Sequence, residues 1–91
     1  MISKVEKVLT FLASRERDNR GDAWTAGTEI EEETTLPAAD INDVIDITEK
    51  RGFVQTRTSM ATRPFKFNDV SITAEGRLWL DSKERLIEDT I

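Results

Sequence analysis

The residue types that carry most enzyme chemistry are scarce in this chain. It contains no cysteine and no histidine, which excludes disulfides, thiol nucleophiles, imidazole acid–base catalysis and most transition-metal sites. Asp40, Asp43 and Asp46 carry carboxylates of the kind that binds Mg²⁺, but their spacing is more simply that of an exposed helix face. No nucleophile stands in a pattern with a general base. We therefore predict no catalytic residue, no metal site, no cofactor, no small-molecule ligand and no enzyme activity.

The chemistry that remains is electrostatic, because the charges are segregated along the chain. Residues 21–49 contain nine acidic residues and no lysine or arginine, whereas residues 50–66 contain five basic residues and no acidic one. The net charge of −5 does not favour a general binder of polyanions. The basic block can still contact phosphate, while the acidic block would repel it. The fold therefore decides which of these charges a partner meets.

Hydrophobic periodicity predicts the elements that position these charges. An apolar stripe at i, i+3 and i+4 spacing predicts a first helix over 1–17. The short segment 23–25 is expected to add a brief edge to a small sheet. A second helix is predicted over 26–34, with Thr25 or Thr28 as its N-cap. The acidic block thus begins on a helix.

The third helix has the clearest boundaries. Pro37 occupies a first helical position, where its missing N–H is harmless, and apolar residues recur at helical spacing as far as Thr48. Lys50 and Arg51 lie in the last turn, where the helix dipole favours them. Gly52 follows as a left-handed cap. The pattern indicates a short helix that leads directly into a strand.

After that glycine the pattern changes to a period of two. Residues 53–58 and 65–73 alternate around a loop at 59–64, which predicts an antiparallel hairpin over 53–73. The inward-facing alternation must shift at 68–69, because the apolar residues before and after that point differ in parity.

A last helix is predicted over 74–88, with Thr73 as its cap. Its apolar arc is wider than a helix that covers one domain needs, so one flank is expected to meet a second copy of the chain. The alternative is that a small core uses all of these residues. The expected homodimer contacts are one aromatic residue of the first helix and four apolar residues of the last helix, namely Phe11, Trp79, Leu80, Leu86 and Ile87.

Three stretches carry a resemblance to a known family: residues 25–37, residues 39–54 and residues 72–80. In this order they resemble the helix-turn, the recognition helix with its first wing strand, and the entry to the last helix of winged helix-turn-helix domains from bacterial and archaeal transcription regulators. The resemblance implies an α+β, mostly α-helical fold in which 1–91 is a single domain and 26–52 is the helix-turn-helix. A three-helix core, a β-hairpin wing and a C-terminal helix complete it. In such families the third helix lies in the major groove and the wing touches phosphate or the minor groove.

The chain departs from that pattern at several positions. Thr35 replaces the usual glycine of the turn, Thr48 replaces a large apolar residue, and Ile47 replaces a polar one. The solvent face of the third helix is expected to present Asn42, Asp43, Asp46 and Glu49. DNA-reading families usually place Arg, Lys, Gln or Ser there, and acidic side chains would be repelled by the phosphates beside the groove.

The preferred interpretation is a DNA-binding protein in transcriptional control that uses its wing. Arg63 at the hairpin tip would enter or straddle the minor groove, and Asn42 would reach an adenine edge. Neighbouring basic residues would contact phosphate. The full set of expected DNA contacts is Asn42, Lys50, Arg51, Arg57, Thr58, Arg63 and Lys66.

The alternative interpretation is a protein-interaction module of the same fold that does not bind DNA. An acidic third helix suits a basic protein surface, and Ile47 exposed beside Asp43 and Asp46 would provide an apolar contact. Loss of a complex on substitution of Ile47 would favour this alternative over DNA binding.

The expected location is the cytoplasm. Charged residues interrupt the apolar run at the start of the chain, which is not the pattern of a signal peptide. No stretch approaches the length of a membrane span, so no membrane partner is expected.

Overall fold

The computed structural model describes residues 3–19, 24–58 and 63–89, and the side chains of those residues other than 18–19 and 83–89. The elements, in chain order, are α1 (Lys4–Asn19), β1 (Thr25–Ala26), α2 (Gly27–Thr34), α3 (Ala38–Lys50), β2 (Val54–Arg57), β3 (Asp69–Ile72) and α4 (Ala74–Asp89). The predicted α+β, mostly helical class is confirmed. Within these ranges no helix combines the length and the apolar character that crossing a lipid bilayer requires.

The start of α2 differs from the prediction. Neither Thr25 nor Thr28 caps this helix, because Thr25 belongs to β1 and is fully buried against β3. Ala26 is the N-cap instead, and the Glu29 carboxylate accepts a hydrogen bond from the Ala26 N–H at 3.1 Å. An acidic side chain in the first turn thus replaces a hydroxyl cap, in a position that the helix dipole also favours. The end of α1, at Asn19, lies two residues beyond its predicted end.

The turn between α2 and α3 is made by Thr35 itself. This residue adopts the left-handed conformation, with φ 59° and ψ 18°, and its N–H donates to the Glu31 carbonyl at 2.9 Å. Pro37 is the N-cap of α3 and not its first helical residue, with ψ at 157°. The turn therefore keeps the geometry that glycine usually provides, at a β-branched residue that disfavours it.

Replacement of Thr35 by glycine is expected to stabilise the protein. A left-handed non-glycine residue costs about 1–2 kcal/mol, and the greater freedom of glycine in the unfolded chain offsets about 0.4–1 kcal/mol of the gain. We expect a net increase of about 0.5–1 kcal/mol in the free energy of unfolding, measured by urea denaturation. Thr28→Gly is the matched control and should destabilise, because Thr28 lies in the helix. A Thr35→Gly variant no more stable than the parent would contradict this explanation of the turn.

The end of α3 carries the predicted glycine cap. Gly52 has φ 77°, its N–H donates to the Glu49 carbonyl at 3.0 Å, and the Phe53 N–H donates to the Thr48 carbonyl at 2.9 Å. This paired pattern is a Schellman motif. Thr48 is fully buried, and its hydroxyl donates to the Val44 carbonyl at 2.7 Å. A threonine can therefore occupy a core position here, because its polar atom is satisfied within the helix.

The sheet has the order β1-β3-β2, with both pairings antiparallel. Val54 lies opposite Ile72, and Arg57 lies opposite Asp69. The strands are shorter than predicted, because residues 65–68 lie outside β3. The predicted shift of the inward alternation at 68–69 is confirmed: the inward residues on its two sides are Phe65, Phe67, Val70 and Ile72, and all four are buried.

The hydrophobic core joins α1, α2, α3, the sheet and α4, and it uses residues that were expected at a dimer contact. Leu80 is 8% exposed and belongs to this core, so little of its side chain is left for the predicted partner contact. Trp79 is half-buried with its ring centroid 5.5 Å from that of Phe53, and Phe11 packs against the core. The side chains of Leu86 and Ile87 lie outside the described residues.

Candidate nucleic-acid interface

Asn42 connects α3 to the wing, by which we mean β2, β3 and the described residues between them, 58 and 63–68. Its side-chain amide donates to the Pro64 carbonyl at 2.9 Å, and its side-chain oxygen accepts the Lys66 N–H at 3.0 Å. A second link runs from the Thr56 hydroxyl to the Glu49 carboxylate. Each end of the Asn42 amide therefore holds the wing through one hydrogen bond, which leaves one N–H and one lone pair for the predicted adenine contact.

Two phenylalanines fold the connection of the wing back onto the core. Phe65 and Phe67 are buried with ring centroids 5.7 Å apart. The Phe65 ring lies on the start of α2 at Gly27, where an added Cβ would stand 2.5 Å from the ring carbon Cγ. Arg63 and Lys66, on either side of Phe65, remain exposed. Burial of the two phenylalanines thus keeps the neighbouring basic side chains at the surface.

The guanidinium of Arg57 already has partners within the chain, although its side chain is exposed. Its Nε donates to the Asp69 carboxylate at 2.7 Å, and a second guanidinium nitrogen contacts the other oxygen. Its Cζ lies 4.1 Å from the ring centroid of Trp24, a cation–π distance. Trp24 is half-buried beneath this guanidinium. Arg57 of β2 therefore links β3 to the residue that precedes β1.

The acidic face of α3 is partly compensated. Two of its four carboxylates pair with a cation, Asp40 with Lys4 at 3.0 Å and Asp46 with Lys50 at 3.1 Å. Glu49 accepts a hydrogen bond from the Thr56 hydroxyl, a contact that cancels no charge. Asp43 is exposed and forms no ion pair or hydrogen bond with the described part of the chain. In that part no three acidic side chains gather closely enough to hold a metal ion. The repulsion of phosphate by α3 is therefore weaker than the sequence alone suggests.

Three cations near the wing keep their charge available. The side chains of Arg51, Arg63 and Lys66 are exposed and form no ion pair or hydrogen bond with residues 3–19, 24–58 or 63–89. We call these three residues the cationic set. Lys66 and the exposed Thr58 also line a cleft of about 140 Å³ between α3 and the wing. Lys50 is excluded from the set, because Asp46 already neutralises it.

No family model, curated protein or solved structure gives a significant match to this chain. Its function must be argued from the geometry. Of the seven predicted DNA contacts, the structure leaves four exposed and without a charged partner among the described residues, namely Arg51, Thr58, Arg63 and Lys66.

The attachment of Asn42 and Glu49 to the wing was not predicted from the sequence. Residues seven apart lie on the same flank of a helix, so the pair could have been assigned to one side of α3. Which side faces the wing depends on how the hairpin packs, and that follows only from the burial of Phe65 and Phe67. Periodicity therefore carried part of the signal, and tertiary packing carried the rest.

Proposed function

We propose that this chain is a winged helix-turn-helix protein that binds double-stranded DNA through its wing, in the control of transcription. The order of elements supports this proposal, since a tight turn at 35–37 joins two helices and a hairpin follows α3 directly. The observation that carries it is the exposure of Arg63 and Lys66, without an anionic partner in the described chain, on a wing that Asn42 fastens to α3. A surface already held in place loses less entropy when it binds.

The cationic set suits the DNA backbone more than the base edges. Arg51 and Lys66 would neutralise phosphates, and Arg63 would enter or straddle the minor groove, where a narrow A·T-rich groove attracts arginine. Asp43 on the outer face of α3 limits close approach of that helix to phosphate, although a carboxylate can accept a hydrogen bond from cytosine N4. The expected complex is therefore led by the wing, with α3 at a greater distance from the backbone than in families that read DNA through this helix.

Salt dependence of binding tests this proposal directly. If all three cations displace counterions, Arg63 from the minor groove and the other two from phosphates, the slope of log K against log salt is about −2.7 per chain bound, and affinity falls about fortyfold between 50 and 200 mM salt. The measurement is fluorescence anisotropy of a labelled random-sequence duplex. Absence of binding at the lower salt, or a slope close to zero, would reject DNA binding by this surface.

The exposure of Ile47 favours a second candidate function, a protein-interaction module. This side chain is 47% exposed on α3 beside Asp43 and Asp46, a combination that suits a basic partner with an apolar contact. The acidic residues of α2 extend the same sign of charge, since Glu31, Glu32 and Glu33 are all exposed. In this case the wing would serve to hold α3 and not to bind nucleic acid.

The variant Ile47→Asp distinguishes this second candidate. Because the residue is exposed, we expect the free energy of unfolding to change by no more than about 0.5 kcal/mol. Any protein complex recovered by pull-down with the tagged chain should be lost. Ser82→Asp is the matched control, since it adds the same charge at an exposed position on a different helix. A complex that survives in the Ile47→Asp variant would remove the α3 face from consideration.

A further inference from the structure

A groove between α1 and α4 lies away from the residues considered so far. It encloses about 630 Å³ and is lined from α1 by Thr10, Ala13 and Arg17, and from α4 by Ala74, Leu78 and Asp81. The residues on each helix recur at spacings of three and four, so each helix presents one continuous stripe to the groove. An ion pair between Glu16 and Arg77 joins the two helices within it.

Leu78 lines this groove and is a largely exposed apolar side chain. It is 65% exposed, the larger value of the two exposed large hydrophobic residues in the described chain. Leu80, two positions further along α4, is buried in the core. A single exposed leucine is ordinary on a protein surface. Here, however, the same groove also contains small side chains such as Ala13. One surface therefore has both an exposed leucine and a recess that could accept the leucine of a second copy.

The charges of the groove have the same self-complementary character. Arg17 of α1 and Asp81 of α4 line it, both are exposed, and neither forms an ion pair or hydrogen bond with the described residues. Counting only the side chains that the structure describes, the surface thus offers one unpaired cation and one unpaired anion. A two-fold axis would bring each of them to its opposite on another copy, as an isologous interface requires. A different protein would have to supply this whole pattern independently.

We propose that the groove between α1 and α4 is the contact surface of a two-fold homodimer. In this dimer Leu78 of each protomer packs into the groove of the other, and Arg17 pairs with the partner's Asp81. The contact expected from the sequence thereby moves from Trp79 and Leu80, which pack within their own chain, to the neighbouring exposed flank of α4. The interface is separate from the wing, so both wings of the dimer remain accessible.

The first test is the molar mass in solution of the whole chain and of two aspartate variants, by sedimentation equilibrium over micromolar to submillimolar concentrations. We expect the parent and Ile47→Asp to dimerise and Leu78→Asp to be monomeric. Both substituted residues are exposed hydrophobics and both become aspartate. A difference in mass between the two variants therefore depends on where the residue lies and not on the type of substitution. Circular dichroism establishes that each variant is folded. A parent that is monomeric throughout, or a folded Leu78→Asp that dimerises as the parent does, would overturn the proposal.

A charge exchange tests the pairing across the two-fold axis. Arg17→Asp alone and Asp81→Arg alone each place like charges opposite one another twice in the dimer, and each should raise the dissociation constant about tenfold. The double variant restores opposite charges and should return the dissociation constant to within about threefold of the parent. If the loss of dimerisation free energy in the double variant equals the sum of the losses in the two single variants, the pairing is refuted. Neither test uses DNA, so both are independent of the proposed function.

Discussion

Replacement of Gly76 by alanine is expected to lower the free energy of unfolding by about 2–3 kcal/mol, although alanine is the better helix former. A Cβ at this position would collide with the Phe53 backbone carbonyl and stand 2.8 Å from Cγ1 of Ile72. The Phe53 carbonyl cannot easily move, because it accepts the Thr73 N–H at 2.9 Å. Thermal unfolding followed by circular dichroism should show a decrease in Tm of about 10–20 °C.

The same junction explains why the collision cannot be relieved by a shift of α4. The Thr73 hydroxyl donates to the Gly52 carbonyl at 2.6 Å and accepts the Gly76 N–H at 3.2 Å, so the first turn of α4 is attached to the end of α3. Gly52→Ala is the control, because a Cβ there meets no atom within 4 Å and only the positive φ is penalised. It should cost about 1 kcal/mol. A Gly76→Ala variant as stable as the parent would show that α4 does not approach the Phe53 carbonyl closely.

Removal of two members of the cationic set should have the largest effect on DNA binding. The double variant Arg63→Ala with Lys66→Ala is expected to bind random-sequence duplex about 100-fold more weakly at 50 mM salt, because each lost phosphate contact contributes roughly tenfold there. The slope of log K against log salt should fall from about −2.7 to about −0.9. Fluorescence anisotropy over a salt series measures both quantities.

Two control variants separate this effect from net charge and from folding. Lys7→Ala removes an exposed cation of α1 that has no partner among the described residues, and it should leave the salt slope within about 0.3 of the parent value. Arg57→Ala removes a cation that already holds Asp69 and Trp24. It should lower the free energy of unfolding and change the slope of log K against log salt only slightly. Equal losses of binding in Lys7→Ala and in the double variant would indicate a general charge effect and count against the wing.

The elements that local signals define were predictable from the sequence. Pro37 and Gly52 delimit α3 within one residue, and the inward alternation around residue 68 follows from side-chain parity. The cap of α2 was not predictable, because pairing with β3 withdraws Thr25 from the helix and only the fold decides that pairing. The close approach at Gly76 had a weak signal, since a glycine inside a helical pattern often marks close packing.

The sequence predicted which residues belong to the candidate site but not which hydrogen-bond and ion-pair partners they have. Every member of the cationic set was expected from charge alone. The partners that occupy Arg57 and Asn42 are separated from them by 12 and 22 residues, so they depend on strand register and on how the wing packs. Periodicity along one helix contains no information about either. Spacing therefore identifies the charged residues, and tertiary structure decides which of them are available.

The attachment of Asn42 has a consequence for what this chain can recognise. Its two hydrogen bonds to the wing fix the orientation of the side-chain amide, and each is worth about 1 kcal/mol. The amide keeps one N–H and one lone pair for another partner. In the proposed complex a base could therefore meet Asn42 only in the orientation that the wing imposes, so the position of the wing would decide whether this side chain takes part in recognition.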